Sequence, residues 1–221
     1  MTIAYLYYDF LNLYGDSGNV KMISNILTQN NIEHEILYLS LSSKLDFSKY
    51  DLVYIGSGTE ENQKIALGHL IKYKKDIEKY ILDNKFFLVT GNSVDMFGKK
   101  IKAIKEYKGL NLFDFVVTQD KRKMEEVYIN ADIIDGKILG FINNNSYIDN
   151  LDYPLFENEG IKYNNFYATY ILGPILVRNP LFLKYFMNNL TNKKLKYDLK
   201  IETRAYNEFI KNFKEEYNEC S

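Results

Sequence analysis

Residues 52–59 read Leu52-Val53-Tyr54-Ile55-Gly56-Ser57-Gly58-Thr59, an apolar run that ends in a turn of small residues. A short apolar run that stops at such a turn is typical of a buried strand. The next segment, residues 60–82, places its apolar side chains roughly along one helical stripe. The stretch therefore predicts a strand, a tight turn and a long helix.

The same alternation extends to both sides of this stretch. Strands are predicted at residues 3–7, 32–39, 52–55 and 86–89. A helix is predicted between the first two strands, from a cap at Asp16 or Ser17 to about Asn30. Strands and helices that alternate at this spacing predict a parallel sheet with helices on both faces, whose functional loops lie at the carboxyl ends of the strands.

The second half of the chain is richer in strands than in helices. Strand-like segments lie at residues 113–117, 125–134, 137–141 and 163–170, and helices are predicted at residues 179–190 and 201–213. Because little helix separates these strands, they are predicted to be antiparallel edge strands. The sequence has only three prolines and no Gly/Ser-rich linker, so residues 1–221 are predicted to form one domain.

Composition narrows the classes of protein to which the chain can belong. Its 28 Lys and Arg nearly balance 29 Asp and Glu, so charge gives no reason to expect binding to nucleic acid or to an anionic membrane. The one cysteine, Cys220, excludes an internal disulfide, and without a metal-ligand cluster, phosphate loop or cofactor fingerprint no metal or cofactor is expected. No N-terminal segment shows the basic, apolar and cleavage regions that are typical of a signal peptide, and no apolar run is long enough to cross a bilayer, so a cytoplasmic protein is expected.

Three segments carry a resemblance to a known family. They are Tyr14-Gly15-Asp16-Ser17-Gly18-Asn19, Ile55-Gly56-Ser57-Gly58-Thr59-Glu60-Glu61-Asn62-Gln63 and Thr169-Tyr170-Ile171-Leu172-Gly173-Pro174-Ile175-Leu176. In order and approximate spacing they resemble class I glutamine amidotransferases of the cobyric-acid-synthase type, above all the glutaminase subunits of lipid II isoglutaminyl synthases. The resemblance extends from residue 3 to about residue 180. It implies a three-layer, flavodoxin-like α/β fold with a mostly parallel central sheet and antiparallel edge strands.

The resemblance also implies a catalytic dyad that this chain lacks. In the family a strand leads into Cys-Gly-Gly-x-Gln, whose cysteine attacks the amide of glutamine, and a histidine in Tyr-Leu-His-Gly-Pro acts as the base. Here the strand leads into Thr90-Gly91-Asn92-Ser93, which puts Gly91 at the cysteine position. The second segment reads Tyr170-Ile171-Leu172-Gly173-Pro174, and the preceding Glu159-Gly160-Ile161-Lys162-Tyr163 supports Leu172 as the histidine position.

Other positions of the resemblance imply what lines the former glutamine pocket. The expected lining residues are Gly56, Ser57, Gly58, Asn92, Arg122 and Asn143. The alternatives are that Gly56 and Gly58 only form a tight strand-to-helix turn and that Arg122 is an exposed charge in a loop. Ser57 replaces the middle glycine of the family's turn, and Asn143 lies in a loop without the family's acid, histidine and arginine. The chain's two histidines, His34 and His69, lie outside these segments and are expected to be structural or surface residues.

The leading hypothesis is a glutamine amidotransferase-like protein without glutaminase activity. It would act as a partner or binding subunit of an ATP-dependent amide-forming ligase, Mur-ligase-like and specific for a cell-wall precursor, or of a cobyric-acid-type synthase. A second hypothesis is an amidohydrolase that uses Ser93, Thr90 or an activated water as its nucleophile. It requires a polar base within hydrogen-bond reach of Ser93. A third is a module that binds glutamine or another amino acid without turnover.

Overall fold

A computed structural model describes residues 1–149 and 151–219, so Cys220 lies outside the described residues. The strands are β1 (Thr2–Leu6), β2 (Glu35–Leu39), β3 (Leu52–Ile55), β4 (Phe86–Thr90), β5 (Lys100–Lys102), β6 (Glu106–Lys108), β7 (Val116–Ala131), β8 (Gly136–Asp149), β9 (Ile161–Tyr163), β10 (Phe166–Thr169) and β11 (Ile171–Leu172). The helices are α1 (Ser17–Gln29), α2 (Glu60–Leu70), α3 (Lys74–Leu82), α4 (Ile175–Arg178), α5 (Pro180–Thr191) and α6 (Lys200–Glu219).

The central sheet has six strands in the order β2-β1-β3-β4-β10-β9. Every neighbouring pair is parallel except β10 and β9. All four residues of β3 are buried, as expected for a parallel strand that has helices on both faces. The predicted α/β fold with a mostly parallel central sheet is therefore confirmed.

The strand predicted at residues 163–170 is wrong as a single element. The chain reverses within it, and β9 and β10 pair antiparallel across Asn164 and Asn165. Asn164 has a φ of 52°, in the left-handed region that asparagine tolerates better than most residues. The Asn-Asn pair near the start of the predicted strand is therefore a turn signal.

The long strands of the second half form a sheet of their own, not edges of the central one. Its order is β11-β8-β7-β5-β6, and β7 and β8 pair antiparallel along most of their length. The place next to β4 in the central sheet is taken by β10. The β7–β8 pair instead buries Val127 and Ile138 in the apolar cluster that holds Phe182 and Leu183 of α5.

The helix predicted over residues 60–82 is divided in two. A tighter helical turn at Ile71–Tyr73 separates α2 from α3, because the backbone of Tyr73 leaves the α-helical region with φ −107° and ψ 12°. The two helices predicted near the end of the chain are present as α5 and α6. Among the described residues, no helix is long and apolar enough to cross a membrane.

Candidate functional site

A sharp turn follows β4 and forms the centre of the candidate site. The strand ends at Thr90, Gly91 has a φ of 65°, and a 3-10 helix covers Gly91–Phe97. This is the geometry of a nucleophile elbow, where a strained turn lifts one side chain above the end of a sheet. The turn is present, but glycine supplies no side chain to it.

The space above Gly91 is occupied by other residues of the chain. A Cβ built on Gly91 would lie 2.5 Å from Ser57 Cβ, nearer still to Ser57 Oγ, and 2.9 Å from Leu172 Cδ2. Real Cβ atoms essentially never approach other heavy atoms this closely. Ser57 Cβ is joined directly to the backbone, so a change of rotamer cannot move it away. The nucleophile position therefore lacks a thiol, and Ser57 and Leu172 occupy the space that a side chain there would need.

The backbone of the neighbouring turn is also engaged. The N–H of Gly58 donates to Asn92 Oδ1 at 3.2 Å, and Asn92 Nδ2 donates back to the Gly58 carbonyl at 2.9 Å. Ser57 Oγ donates to the same Asn92 Oδ1 at 3.3 Å. An oxyanion hole needs backbone N–H groups that are free to bind developing charge. The Asn92 side chain takes up the Gly58 N–H, so this turn offers no such donor at that position.

Leu172 closes the site from the side of β11. It pairs with Phe141 of β8 and is only 1% exposed. An isobutyl side chain has no proton to exchange, so the position cannot supply a base. In the structure, both Ser57 and Leu172 lie close to the backbone of Gly91.

A buried carboxyl lies below the elbow. Asp16 Oδ2 accepts a hydrogen bond from the Ser57 N–H at 2.5 Å, and Asp16 Oδ1 accepts one from Thr90 Oγ1 at 3.2 Å. Burial raises the pKa of Asp16 to about 7, although the hydrogen bonds from Ser57, Thr90 and Tyr54 lower it. The sequence suggested Asp16 as a helix cap, but its side chain makes no cap bond, and Ser17 N donates to Asn12 Oδ1 instead. Asp16 therefore connects the loops that follow β1 and β3 to the end of β4.

A second buried carboxyl, Asp95, sits in the 3-10 turn after the elbow. It accepts hydrogen bonds from Tyr170 at 2.6 Å, Ser146 at 2.6 Å, Gln63 at 3.0 Å and Gln119 at 3.3 Å. Burial raises its pKa, and these hydrogen bonds oppose that shift. Four donors from four parts of the chain hold the turn in place. The sequence analysis missed this role, because nothing local marks Asp95 as the centre of a network.

A third buried carboxyl supports the segment that contains Leu172. Glu159 accepts hydrogen bonds from Thr169 Oγ1 at 2.8 Å and from the Tyr170 N–H at 2.5 Å. Burial raises the pKa of Glu159 to about 7, against these hydrogen bonds. The sequence analysis used Glu159 only to set the register of this segment. In the structure, it anchors the crossover from β10 to β11.

Arg122 and Asn143 meet at the surface. Arg122 Nη1 donates to Asn143 Oδ1 at 2.9 Å, and Arg122 Nη2 also pairs with Glu60 Oε1. Asn143 Nδ2 donates to the Tyr14 hydroxyl at 2.6 Å. The four side chains form a polar chain that links the loop after β1, the start of α2 and the β7–β8 pair. Tyr14 and Glu60 were not predicted as site residues, although both lie in the segments that carried the resemblance.

The candidate substitute nucleophiles are buried and engaged. Ser93 is 0% exposed, and its Oγ donates to the Gly56 carbonyl at 2.6 Å. Thr90 is 1% exposed and bonds to Asp16 and to the Tyr54 hydroxyl. A carbonyl cannot accept a proton as a general base does, so the partner of Ser93 does not activate it.

The two histidines make their hydrogen bonds elsewhere. His34 Nε2 shares one with Ser24 Oγ at 2.7 Å, and His69 Nδ1 shares one with the Tyr7 hydroxyl at 2.9 Å. Among the residues that the structure describes, no three His, Cys, Asp or Glu side chains are grouped so that they could hold a metal ion. Neither histidine is hydrogen-bonded to a residue of the elbow, so neither forms a catalytic dyad there.

Comparisons with known proteins agree with the resemblance at the level of the family. A family model described as a CobB/CobQ-like glutamine amidotransferase domain matches residues 2–180. Two relatives are named lipid II isoglutaminyl synthase (glutamine-hydrolyzing) subunit GatD. The one from Staphylococcus aureus is 28% identical, over 88% of this chain and 86% of its own. The one from Streptococcus pneumoniae is 26% identical, over 99% of this chain and 91% of its own.

A solved structure, that of PurLQS from Thermotoga maritima, is similar to this chain with a TM-score of 0.60 at 14% identity. The similarity covers 86% of this chain and 98% of that one. At such low identity the likeness bears on the fold alone. It supports the three-layer, flavodoxin-like arrangement that the resemblance implied.

Proposed function

The chain belongs to the CobB/CobQ-like glutamine amidotransferase domain family, and on that premise we propose that it is a member without glutaminase activity. It acts, in this proposal, as a partner or binding subunit of an ATP-dependent amide-forming ligase. Residues 1–221 serve as one glutamine amidotransferase-like domain, and the chain works in the cytoplasm.

One observation carries the first part of the proposal: the nucleophile position is filled. A side chain at Gly91 would collide with Ser57 and Leu172, and the base position is the apolar Leu172 itself. In a serine-protease precedent, loss of the nucleophile alone lowers kcat by a factor on the order of 10⁶. Ser57 and Leu172 occupy the space that a nucleophilic side chain at residue 91 would need. A thiol at residue 91 alone would therefore not restore glutaminase activity.

The partner role is supported by what the site has kept. Three buried carboxyls, Asp16, Asp95 and Glu159, still hold the loops of the former active site in one arrangement. Loops that keep a fixed arrangement without catalysing a reaction can still form a binding surface for a partner protein. Both GatD relatives are named as subunits of a glutamine-hydrolysing synthase. The partner that we propose is a Mur-ligase-like enzyme acting on a cell-wall precursor, or a cobyric-acid-type synthase.

The first prediction is that the purified chain releases no ammonia or glutamate from glutamine above a protein-free blank. The matched controls are two restored variants, one with Gly91→Cys and Leu172→His, and one that also carries Ser57→Gly. We expect turnover only in the triple variant, because Ser57 leaves no room for a thiol at residue 91. Ammonia release by the unaltered chain would contradict the proposal and favour the amidohydrolase hypothesis.

The partner role has its own test, which does not depend on turnover. Co-expression with a Mur-ligase-like protein from the same organism should give a stable complex on size-exclusion chromatography. The ligase should then lose amide formation when this chain is omitted. If the chain elutes alone and glutamine raises its melting temperature without being consumed, the amino-acid-binding hypothesis replaces the partner role.

A further inference from the structure

A cavity of about 310 Å³ lies beside β9, at the outer edge of the central sheet. It shares no lining residue with the elbow, and it is formed by the end of α3, residues 112–115 and β9. Ile81 and Ile161 contribute to its apolar lining. Its volume is at the lower end of the range for small-molecule sites. The cavity can therefore be considered separately from the proposed function.

Aromatic rings form two walls of this cavity at steep angles. The rings of Tyr153 and Tyr163 have centroids 5.6 Å apart and an interplanar angle of 61°. The rings of Tyr163 and Phe113 are 5.9 Å apart at 78°. All three rings line the same cavity. Aromatic rings attract a cation that approaches one of their faces, and proteins that recognise quaternary ammonium groups use several such rings.

The charged residues that line the cavity are all acidic. They are Glu78, Asp114 and Asp152, and no described lining residue is Lys or Arg. Asp114 pairs with Lys99, whereas Glu78 and Asp152 make no ion pair with any described residue. Two carboxylates without a cationic partner, so close to the rings, leave a negative potential that a cation would neutralise.

We propose that this cavity binds a small quaternary ammonium ligand. Glu78, Asp152 and Tyr153 are exposed, and Phe113 and Tyr163 are half-buried. The buried side chains of Ile81 and Ile161 give the cavity an apolar interior. A primary ammonium would have to give up strong hydrogen bonds to water on entering such an interior. A quaternary ammonium carries its charge without N–H donors, so it loses less on entry and gains the ring faces.

Calorimetric titration with choline is the direct test. We expect saturable binding, and we expect the neutral isostere 3,3-dimethylbutan-1-ol to bind about tenfold more weakly or not at all. The isostere has the same shape and apolar surface but no charge. Equal binding of the two compounds, or no saturable binding of choline, would overturn the proposal.

Two variants locate the site, and a third serves as a control. Tyr153→Leu keeps apolar bulk but removes a ring face, and Asp152→Asn removes a charge; each should weaken choline binding by about threefold to tenfold. Tyr153 is 60% exposed, so its replacement should leave the fold intact. Tyr38 is a similarly exposed ring that does not line the cavity, and Tyr38→Leu should leave the affinity unchanged. Choline binding that persists unchanged in Tyr153→Leu and Asp152→Asn would contradict the assignment to this cavity.

Discussion

We expect Gly91→Ala to lower the free energy of unfolding by about 4 kcal/mol. Two costs combine at this position. The backbone has a φ of 65°, where a residue with a Cβ is strained, and the new methyl group would lie 2.5 Å from Ser57 Cβ. The surrounding residues are fully packed, so relief requires displacement of the turn or of Ser57. Urea denaturation of the two proteins measures the difference.

Part of this cost should disappear when Ser57 becomes glycine. In a Ser57→Gly background the collision with residue 57 is gone, whereas the backbone strain and the approach to Leu172 remain. We therefore expect Gly91→Ala to cost about 1–3 kcal/mol less in that background than in the original chain. The four proteins form a double-mutant cycle, and additive effects would show that Ser57 does not fill the nucleophile position.

Gly68 provides a matched control for the same substitution. It lies within α2, and a Cβ built there meets no atom within 4 Å. Gly68→Ala should raise the free energy of unfolding by about 0.5–1 kcal/mol, because alanine is the better helix former. If Gly91→Ala behaved like Gly68→Ala, the space above the elbow would be open and the proposed loss of chemistry would need another explanation.

The sequence predicted the framework of this fold because the framework is local. Apolar runs such as residues 52–55, each followed by small residues and an amphipathic segment, indicate parallel strands and helices wherever they occur. The strand prediction for residues 163–170 rests on their apolar and aromatic side chains and does not include the preference of Asn164 and Asn165 for a turn. β7 and β8 form a separate sheet because β10, and neither of them, pairs with β4. The alternation of apolar and polar residues along a strand does not show which other strand it pairs with.

The candidate site was predictable only as a set of positions. Gly91 and Leu172 followed from the resemblance, but the close approach of Ser57 to Gly91 did not, because it joins segments that lie far apart in the sequence. The same limit applies to Asp16. Its segment was identified, yet its bonds to Ser57 and Thr90 bring together three loops whose distances the sequence does not give.

Asp16 should make the stability of this protein depend on pH. Burial raises its pKa in the folded chain to about 7, from an ordinary value of 3.8. Between these two values the folded protein holds a proton that the unfolded chain has released. Stability therefore falls as the pH rises through this interval. A difference of this size corresponds to at most about 4 kcal/mol between pH 4 and pH 8.

The variant Asp16→Asn isolates this contribution. An asparagine stays neutral at every pH, so the unfolding free energy of the original chain minus that of Asp16→Asn should fall by up to about 4 kcal/mol from pH 4 to pH 8. Glu159, whose pKa burial also raises to about 7, titrates in both proteins, so its effect cancels.

Asp46 is an exposed control whose pKa is lowered by hydrogen bonds from Ser48 and Lys49. Between pH 4 and pH 8 the corresponding difference for Asp46→Asn should stay nearly constant, because a carboxyl with a lowered pKa is already largely ionised in both the folded and the unfolded chain over this interval. If the unfolding free energy of the original chain minus that of Asp16→Asn stayed constant from pH 4 to pH 8, Asp16 would be ionised in the folded protein over this whole range. Its hydrogen bonds would then outweigh the effect of burial on its pKa.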